Sequence, residues 1–132
     1  MPIYAECGGL MYLSQGIADV QGERYPMVGV VPGWCSMEKS HLHLGYVEVS
    51  SFHATPLGPS GFQARGHECH WSIWGGPEPS SAAYSITNRS GRIEGYARGN
   101  VLASFVHLHF GTNPSLAPTF VENASGYRNR KP

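Results

Sequence analysis

Ala5-Glu6-Cys7-Gly8-Gly9-Leu10 is the stretch on which the reading of this chain turns. Ahead of it, Met1-Pro2-Ile3-Tyr4-Ala5-Glu6 reads as a short apolar strand. After it, Leu10-Met11-Tyr12-Leu13 through Ile17 has helical character. A strand, a nucleophile, two glycines and a helix together make a nucleophile elbow. The glycines permit a tight turn and let a substrate approach the backbone closely. A thiol at a helix N-terminus gains from the partial positive charge there, which favours the thiolate. The N–H that follows Cys7 would be aimed to help hold an oxyanion. A cysteine beside two glycines also fits plain packing, and the local pattern leaves both readings open.

Outward from the elbow the chain is mostly strand. Asp19 to Pro26 reads as a turn-rich loop, and Met27-Val28-Gly29-Val30-Val31 as a buried strand stopped by Pro32-Gly33. Leu44 to Val49 alternates well enough for another strand, Phe62 to Trp71 for a third, and Ala83 to Thr87 for a fourth. Arg92 to Gly99 leads into Val101-Leu102-Ala103-Ser104-Phe105-Val106, the most strand-like run of all. A helix is expected from Pro114 through Val121, and the polar, basic residues 123–132 read as a frayed tail after a domain of residues 1–122.

Composition removes several classes of function. The 132 residues suffice for one domain with a real core but not for two. Nine Lys plus Arg balance nine Asp plus Glu, so the chain has no electrostatic footprint for nucleic acid or an anionic membrane. No apolar run approaches the roughly 20 residues that span a bilayer, and no export signal is legible, so the cytoplasm is the expected compartment. Three cysteines at unrelated spacings form no disulfide framework. Seventeen glycines and ten prolines punctuate apolar segments, which indicates turns and not disorder.

A cysteine nucleophile needs a base, and six of the seven histidines cluster: His41 and His43, His67 and His70, His107 and His109. Residues two apart on a strand share a face, so each His-Leu-His pair could point one way. His107 directly follows the strongest expected strand, where a parallel sheet presents ligand-facing residues, and is the better candidate base. Zinc could take His67, Cys69 and His70, or one of the His-Leu-His pairs. No CxxC, HxxxH or HExxH spacing appears, and strand neighbours Cys69 and His70 face opposite sides, so no metal is expected.

The segment Pro2-Ile3-Tyr4-Ala5-Glu6-Cys7-Gly8-Gly9-Leu10-Met11-Tyr12-Leu13 resembles the nucleophile segment of cobyrinic acid a,c-diamide synthases. Tyr25 to Val30, Gly45-Tyr46-Val47-Glu48, Arg65 to Ser72, Glu94-Gly95-Tyr96 and Gly99 to Phe110 resemble the segments that follow, in order. The resemblance implies an α/β fold: the strand-rich C-terminal part of a class I glutamine amidotransferase-like, flavodoxin-like sandwich. It implies a glutaminase that feeds ammonia to an activated corrinoid carboxylate, with glutamine and, through another domain, a corrinoid as partners. Cys7 matches the family nucleophile and His107 the histidine that activates it. Gly8 and Gly9 form the oxyanion turn, and Glu68, His70 and His109 are candidate site-lining residues. Relatives of this branch lack the glutamate otherwise found two residues after that histidine; His109 stands there, in keeping with a Cys–His dyad. Cys69 stands where the family often has Phe, and is expected to pack rather than react.

The resemblance also says what to expect elsewhere. No cofactor is expected in this chain. ATP and magnesium are expected in an N-terminal domain, and no GxxxxGK[ST] loop occurs here. The family places several strands and one wall of the oxyanion hole before the nucleophile, so the chain reads as a fragment whose sheet is completed by a partner chain or a second copy. A catalytically inactive remnant or docking module is the alternative from a different class. Related enzymes act on hydrogenobyrinate or nickel sirohydrochlorin. Amidases of cobyric acid end in a shorter Tyr-Leu-His-Gly type of motif that this sequence does not match.

Overall fold

A computed structural model describes residues 1–76, 78–89 and 91–130. In chain order the strands are β1 (Ile3–Glu6), β2 (Gly16–Ala18), β3 (Arg24–Pro26), β4 (Trp34–Met37), β5 (His43–Ser51), β6 (Gln63–His70), β7 (Ser72–Trp74), β8 (Ala82–Ile86), β9 (Arg92–Arg98), β10 (Val101–Ser104) and β11 (His107–Leu108). Helix α1 is Gly8–Leu13 and helix α2 is Leu116–Asn129.

Seven strands form one sheet in the order β1-β10-β9-β8-β5-β6-β11, and β3-β2-β4-β7 form a second. In the large sheet β1 runs parallel to β10, and every other pairing is antiparallel. β10 lies near one end of that sheet and β11 at the other, yet only Phe105 and Val106 separate them in sequence. A single run of chain therefore holds both ends, and the sheet curls round to meet it.

Alternation along the central strands produces the layers. Leu102 joins one buried cluster and Ala103 the other; Ala97 and Tyr96 divide in the same way. On one face Val47, Val49, Tyr84, Ile86 and Leu102 pack against Leu116 and Phe120 of α2. On the other, Ala5, Ala103 and Phe105 pack against Leu10 of α1 and against Val31 and Cys35 from the small-sheet side. Each face thus excludes water beneath a helix, which is the α/β layering expected.

Several local expectations are corrected. Helix α1 stops at Leu13, because Ser14 turns its hydroxyl onto the Met11 carbonyl (2.7 Å) and accepts the Gly16 N–H (3.2 Å). Met27 to Val31 is not a buried strand. Val28, Gly29 and Val30 are exposed, and the run drapes over the end of α1: Val28 N–H bonds Tyr12 O, Gly29 N–H bonds Ser14 O and Val31 N–H bonds Leu13 O. These are carbonyls a helix end leaves without partners. The loop expected over Asp19 to Pro26 contains β3. Beyond residue 122, expected to fray, α2 continues to Asn129; residues 131 and 132 lie outside the described part.

Candidate functional site

The chain passes from β1 into α1 through one residue. Cys7 has φ 49° and ψ −108°, and among the described residues it is the only non-glycine with positive φ. For a residue with a Cβ this region costs about 1–2 kcal/mol, so the surrounding structure must hold it there. Two bonds do. Cys7 N–H donates to Ser104 O (2.8 Å), continuing the β1–β10 ladder, while Cys7 O accepts Met11 N–H (3.2 Å) and starts the helix. Gly9 keeps the turn tight, since a Cβ there would lie 3.1 Å from that of Ala5.

The thiol is half-buried, with Sγ directed at the Cys69 carbonyl oxygen 4.0 Å away. Burial pushes the Cys7 thiol above its ordinary value, Gly8 N–H pulls part of the way back, and neighbouring Cys69 and Glu6 push it up again. This corrects the expectation of a helix-stabilised thiolate: loss of hydration outweighs the helix end.

His107 on β11 is brought to the same corner. Its Nδ1 is 3.3 Å from Glu6 Oε2, and its ring stacks on His67 with centroids 4.8 Å apart. Glu6 is the residue immediately before Cys7, and its other oxygen accepts Leu108 N–H (2.8 Å) and the Tyr4 hydroxyl. β11 sits this close to β6 because position 66 has no side chain: a Cβ there would come 2.2 Å from His107 O. The kink between β10 and β11 is tied to buried Glu94, whose carboxylate accepts Ser104 Oγ–H (2.5 Å) and Phe105 N–H (2.9 Å); Ser104 Oγ in turn accepts Val106 N–H (2.9 Å). Burial drives the Glu94 carboxyl up to about 7 against the pull of those two hydrogen bonds.

Glu68 and His70 lie on the other face of β6 from His67 and Cys69, as alternation requires. His70 stacks on Phe105 (4.0 Å) and on His43 (4.8 Å), and with Arg92, Glu68 and Glu94 they line a cavity of about 150 Å³. Burial alone would raise Glu68. The neighbouring His70 and the Arg92 guanidinium, hydrogen-bonded at 2.7 Å, instead hold it down to about 2. His70 Nε2 is 3.6 Å from Glu68 Oε1, an ion-pair distance and not a hydrogen bond. His109 is exposed one residue past β11, with its ring over Gly111 rather than beside His107. Cys69, expected to pack, is exposed.

The structure thus sets His107 against Glu6, the chain neighbour of Cys7, gathers Glu68 and His70 on the opposite face of β6 from His67, and leaves His109 exposed. Sequence reasoning missed Glu6. Only its parity with Tyr4 on β1 was visible, and nothing local couples residue 6 to residue 107.

A family model described as a CobB/CobQ-like glutamine amidotransferase domain matches residues 1–115. The cobyrinate a,c-diamide synthase of Dehalococcoides mccartyi (strain ATCC BAA-2266 / KCTC 15142 / 195) is 44% identical over 96% of this chain and 28% of its own length. The cobyrinate a,c-diamide synthase of Priestia megaterium is 34% identical over 99% of this chain and 29% of its own length. The chain therefore spans little more than a quarter of these relatives. A crystal structure of a glutamine amidotransferase superposes with a TM-score of 0.59 at 18% identity, covering 94% of this chain and 61% of that one; it bears on the fold alone.

Proposed function

Because this chain belongs to the CobB/CobQ-like glutamine amidotransferase domain family, we propose that it carries the glutaminase site of a cobyrinate a,c-diamide synthase, with Cys7 as nucleophile and His107 as base. The observation that carries this reading is the strained turn at Cys7, with His107 folded back against the residue before it. Strain of this kind persists where a side chain must be presented rather than packed.

The steps follow from the groups present. His107 Nε2 takes the Cys7 proton as Sγ attacks the side-chain amide carbon of glutamine. The tetrahedral oxyanion is met by Gly8 N–H. As the C–N bond breaks, His107 returns the proton to nitrogen, and ammonia leaves a glutamyl thioester. Water, deprotonated by His107, attacks the thioester carbon; the C–S bond breaks, glutamate leaves, and Cys7 regains its proton. ATP and magnesium would activate the corrinoid carboxylate on chain outside these residues, and no step here runs through them.

The relatives' names support cobyrinate over hydrogenobyrinate or nickel sirohydrochlorin as the tetrapyrrole. Among the described residues β1 pairs with β10 alone, and its other edge is where a preceding segment, a partner chain or a second copy would add strands. Among the described residues no helix is long and apolar enough to cross a membrane, and Cys7, Cys35 and Cys69 are free thiols, which suits a reducing cytoplasm.

The test is covalent labelling with a glutamine-like chloroketone or diazoketone, read by intact mass and peptide mapping. Modification confined to Cys7 and lost in His107→Ala is expected. Equal labelling of Cys7 and exposed Cys69, or none, would sink the glutaminase reading in favour of a non-catalytic docking module.

A further inference from the structure

We propose that Glu6 is the positioning residue of the site: it fixes the tautomer and orientation of His107, so that the residue just before the nucleophile also sets the base. This rests on the reading of Cys7 and His107 given above.

The carboxylate is anchored at one oxygen and faces the ring with the other. Oε1 accepts Leu108 N–H at 2.8 Å and the Tyr4 hydroxyl, and Oε2 faces His107 Nδ1 at 3.3 Å. A carboxylate group held in this way cannot swing, and toward the ring it offers only an acceptor. The proton of a neutral imidazole is therefore placed on Nδ1, and the lone pair on Nε2, the nitrogen that does the work of a base. The bond to Leu108 adds an orientation. It grips the residue next to His107 on β11, so ring and backbone are referred to the same carboxylate. His67, stacked on the ring at 4.8 Å, limits its tilt without competing for Nδ1.

Among the described residues, no other acidic group is put to this use at His107. Glu68 turns to Arg92 and His70, Glu94 to Ser104 and Phe105. His109 has its ring over Gly111 and is no acceptor for Nδ1–H in this geometry.

A purely structural clip between β1 and β11 would use the same contacts, and Glu6→Gln separates the two. Glutamine keeps an oxygen for Leu108 N–H and Tyr4, but turns an N–H₂ toward His107. The ring must then accept at Nδ1 and carry its proton on Nε2, the wrong tautomer for a base. The equivalent acid-to-amide change at a Ser–His–Asp triad costs about 10⁴-fold in kcat.

The experiment is long-range proton–nitrogen correlation NMR on the full chain with ¹⁵N-labelled histidine at a pH where His107 is neutral. Expected are Nδ1–H in the wild type, Nε2–H in Glu6→Gln, and Nδ1–H restored in Glu6→Asp. Glutamine turnover should fall about 10²- to 10⁴-fold in kcat for Glu6→Gln with KM little changed. Nε2–H in the wild type overturns the proposal with no variant needed, as does an unchanged tautomer in Glu6→Gln. Should Glu6→Gln fail to fold, the wild-type tautomer and Glu6→Asp still decide. A wild-type chain with the Nδ1–H tautomer but no Cys7 labelling would overturn the glutaminase reading and leave the role of Glu6 standing.

Discussion

The molecule holds two Glu–His pairs made of the same chemical groups. In Glu6–His107 the closest atoms are 3.3 Å apart and the side chains are 27% and 32% exposed; in Glu68–His70 they are 3.6 Å apart and 6% and 7% exposed. The third neighbour differs most. Beside the first pair stands Cys7, and beside the second the Arg92 guanidinium, 2.7 Å from the Glu68 carboxylate. In the second pair His70 Nδ1 is committed to Ser72 O (2.7 Å), and Nε2 is buried without a hydrogen-bond partner. A Glu–His pair does chemistry where one nitrogen is left over and a reacting atom can reach it. Otherwise it is a buried ion pair that fixes a core.

The largest break in that symmetry should come from the residues at the open pair. Cys7→Ser is expected to remove glutamine hydrolysis beyond detection, and His107→Ala to lower kcat about 10²- to 10⁴-fold, with the fold intact by circular dichroism. Glu68→Gln should act on stability instead, with kcat within about threefold of wild type, less than the loss of a base. If Glu68→Gln matched His107→Ala in steady-state kinetics, the distinction drawn between the pairs would collapse.

Next in size are two opposed limbs of the stability–pH curve. Glu68, at about 2 folded against an ordinary carboxyl near 4.5, contributes stability that is full above the unfolded value and is lost as pH falls toward 2. Glu94, raised to about 7, contributes stability that is full below the unfolded value and is lost as pH rises through 7. Each limb is on the order of 3 kcal/mol, and urea midpoints across pH should peak near 4.5. Glu68→Gln should flatten the acid limb and Glu94→Gln the neutral one. A curve that Glu94→Gln leaves unchanged between pH 5 and 8 would refute the assignment.

The smallest effect sharpens the comparison at the nucleophile. Cys69 is exposed and nudges Cys7 upward, so Cys69→Ala should change stability by less than about 0.5 kcal/mol. It should also shift the pH dependence of Cys7 alkylation slightly toward lower pH. A shift to higher pH would mean that Cys69 helps ionise Cys7 instead.

The strands that alternate cleanly, Leu44 to Val49, Phe62 to Trp71 and Ala83 to Thr87, were legible because each buries one face and their register fixes which residues do so. The elbow was legible because a small residue, a thiol and two glycines have few other uses in a row. Met27 to Val31 misled because its apolar content resembled a strand, while its N–H groups serve the C-terminal end of α1. The short strands β2, β3, β4 and β7 span three or four residues each, too few for a period to register. The site was half visible. Cys7 and His107 carry recognisable chemistry, but the closeness of Glu6 depends on β11 crossing to β6, a pairing that only the absence of a side chain at Gly66 permits.

The run of chain that joins the two ends of the large sheet also sets when the site can exist. The Leu108-to-Glu6 bond spans 102 residues of sequence, and β1 pairs with residues 101–104. The β5–β6 and β8–β9 pairs are local and can form early, whereas the partner of β1 among the described residues, β10, comes near their end. Cys7 is therefore made well before residues 101–108, the strands that complete its surroundings. Recovery of Cys7 reactivity toward a glutamine analogue would then trail the recovery of strand signal in a refolding experiment, because the site is assembled by the slowest closure the topology contains.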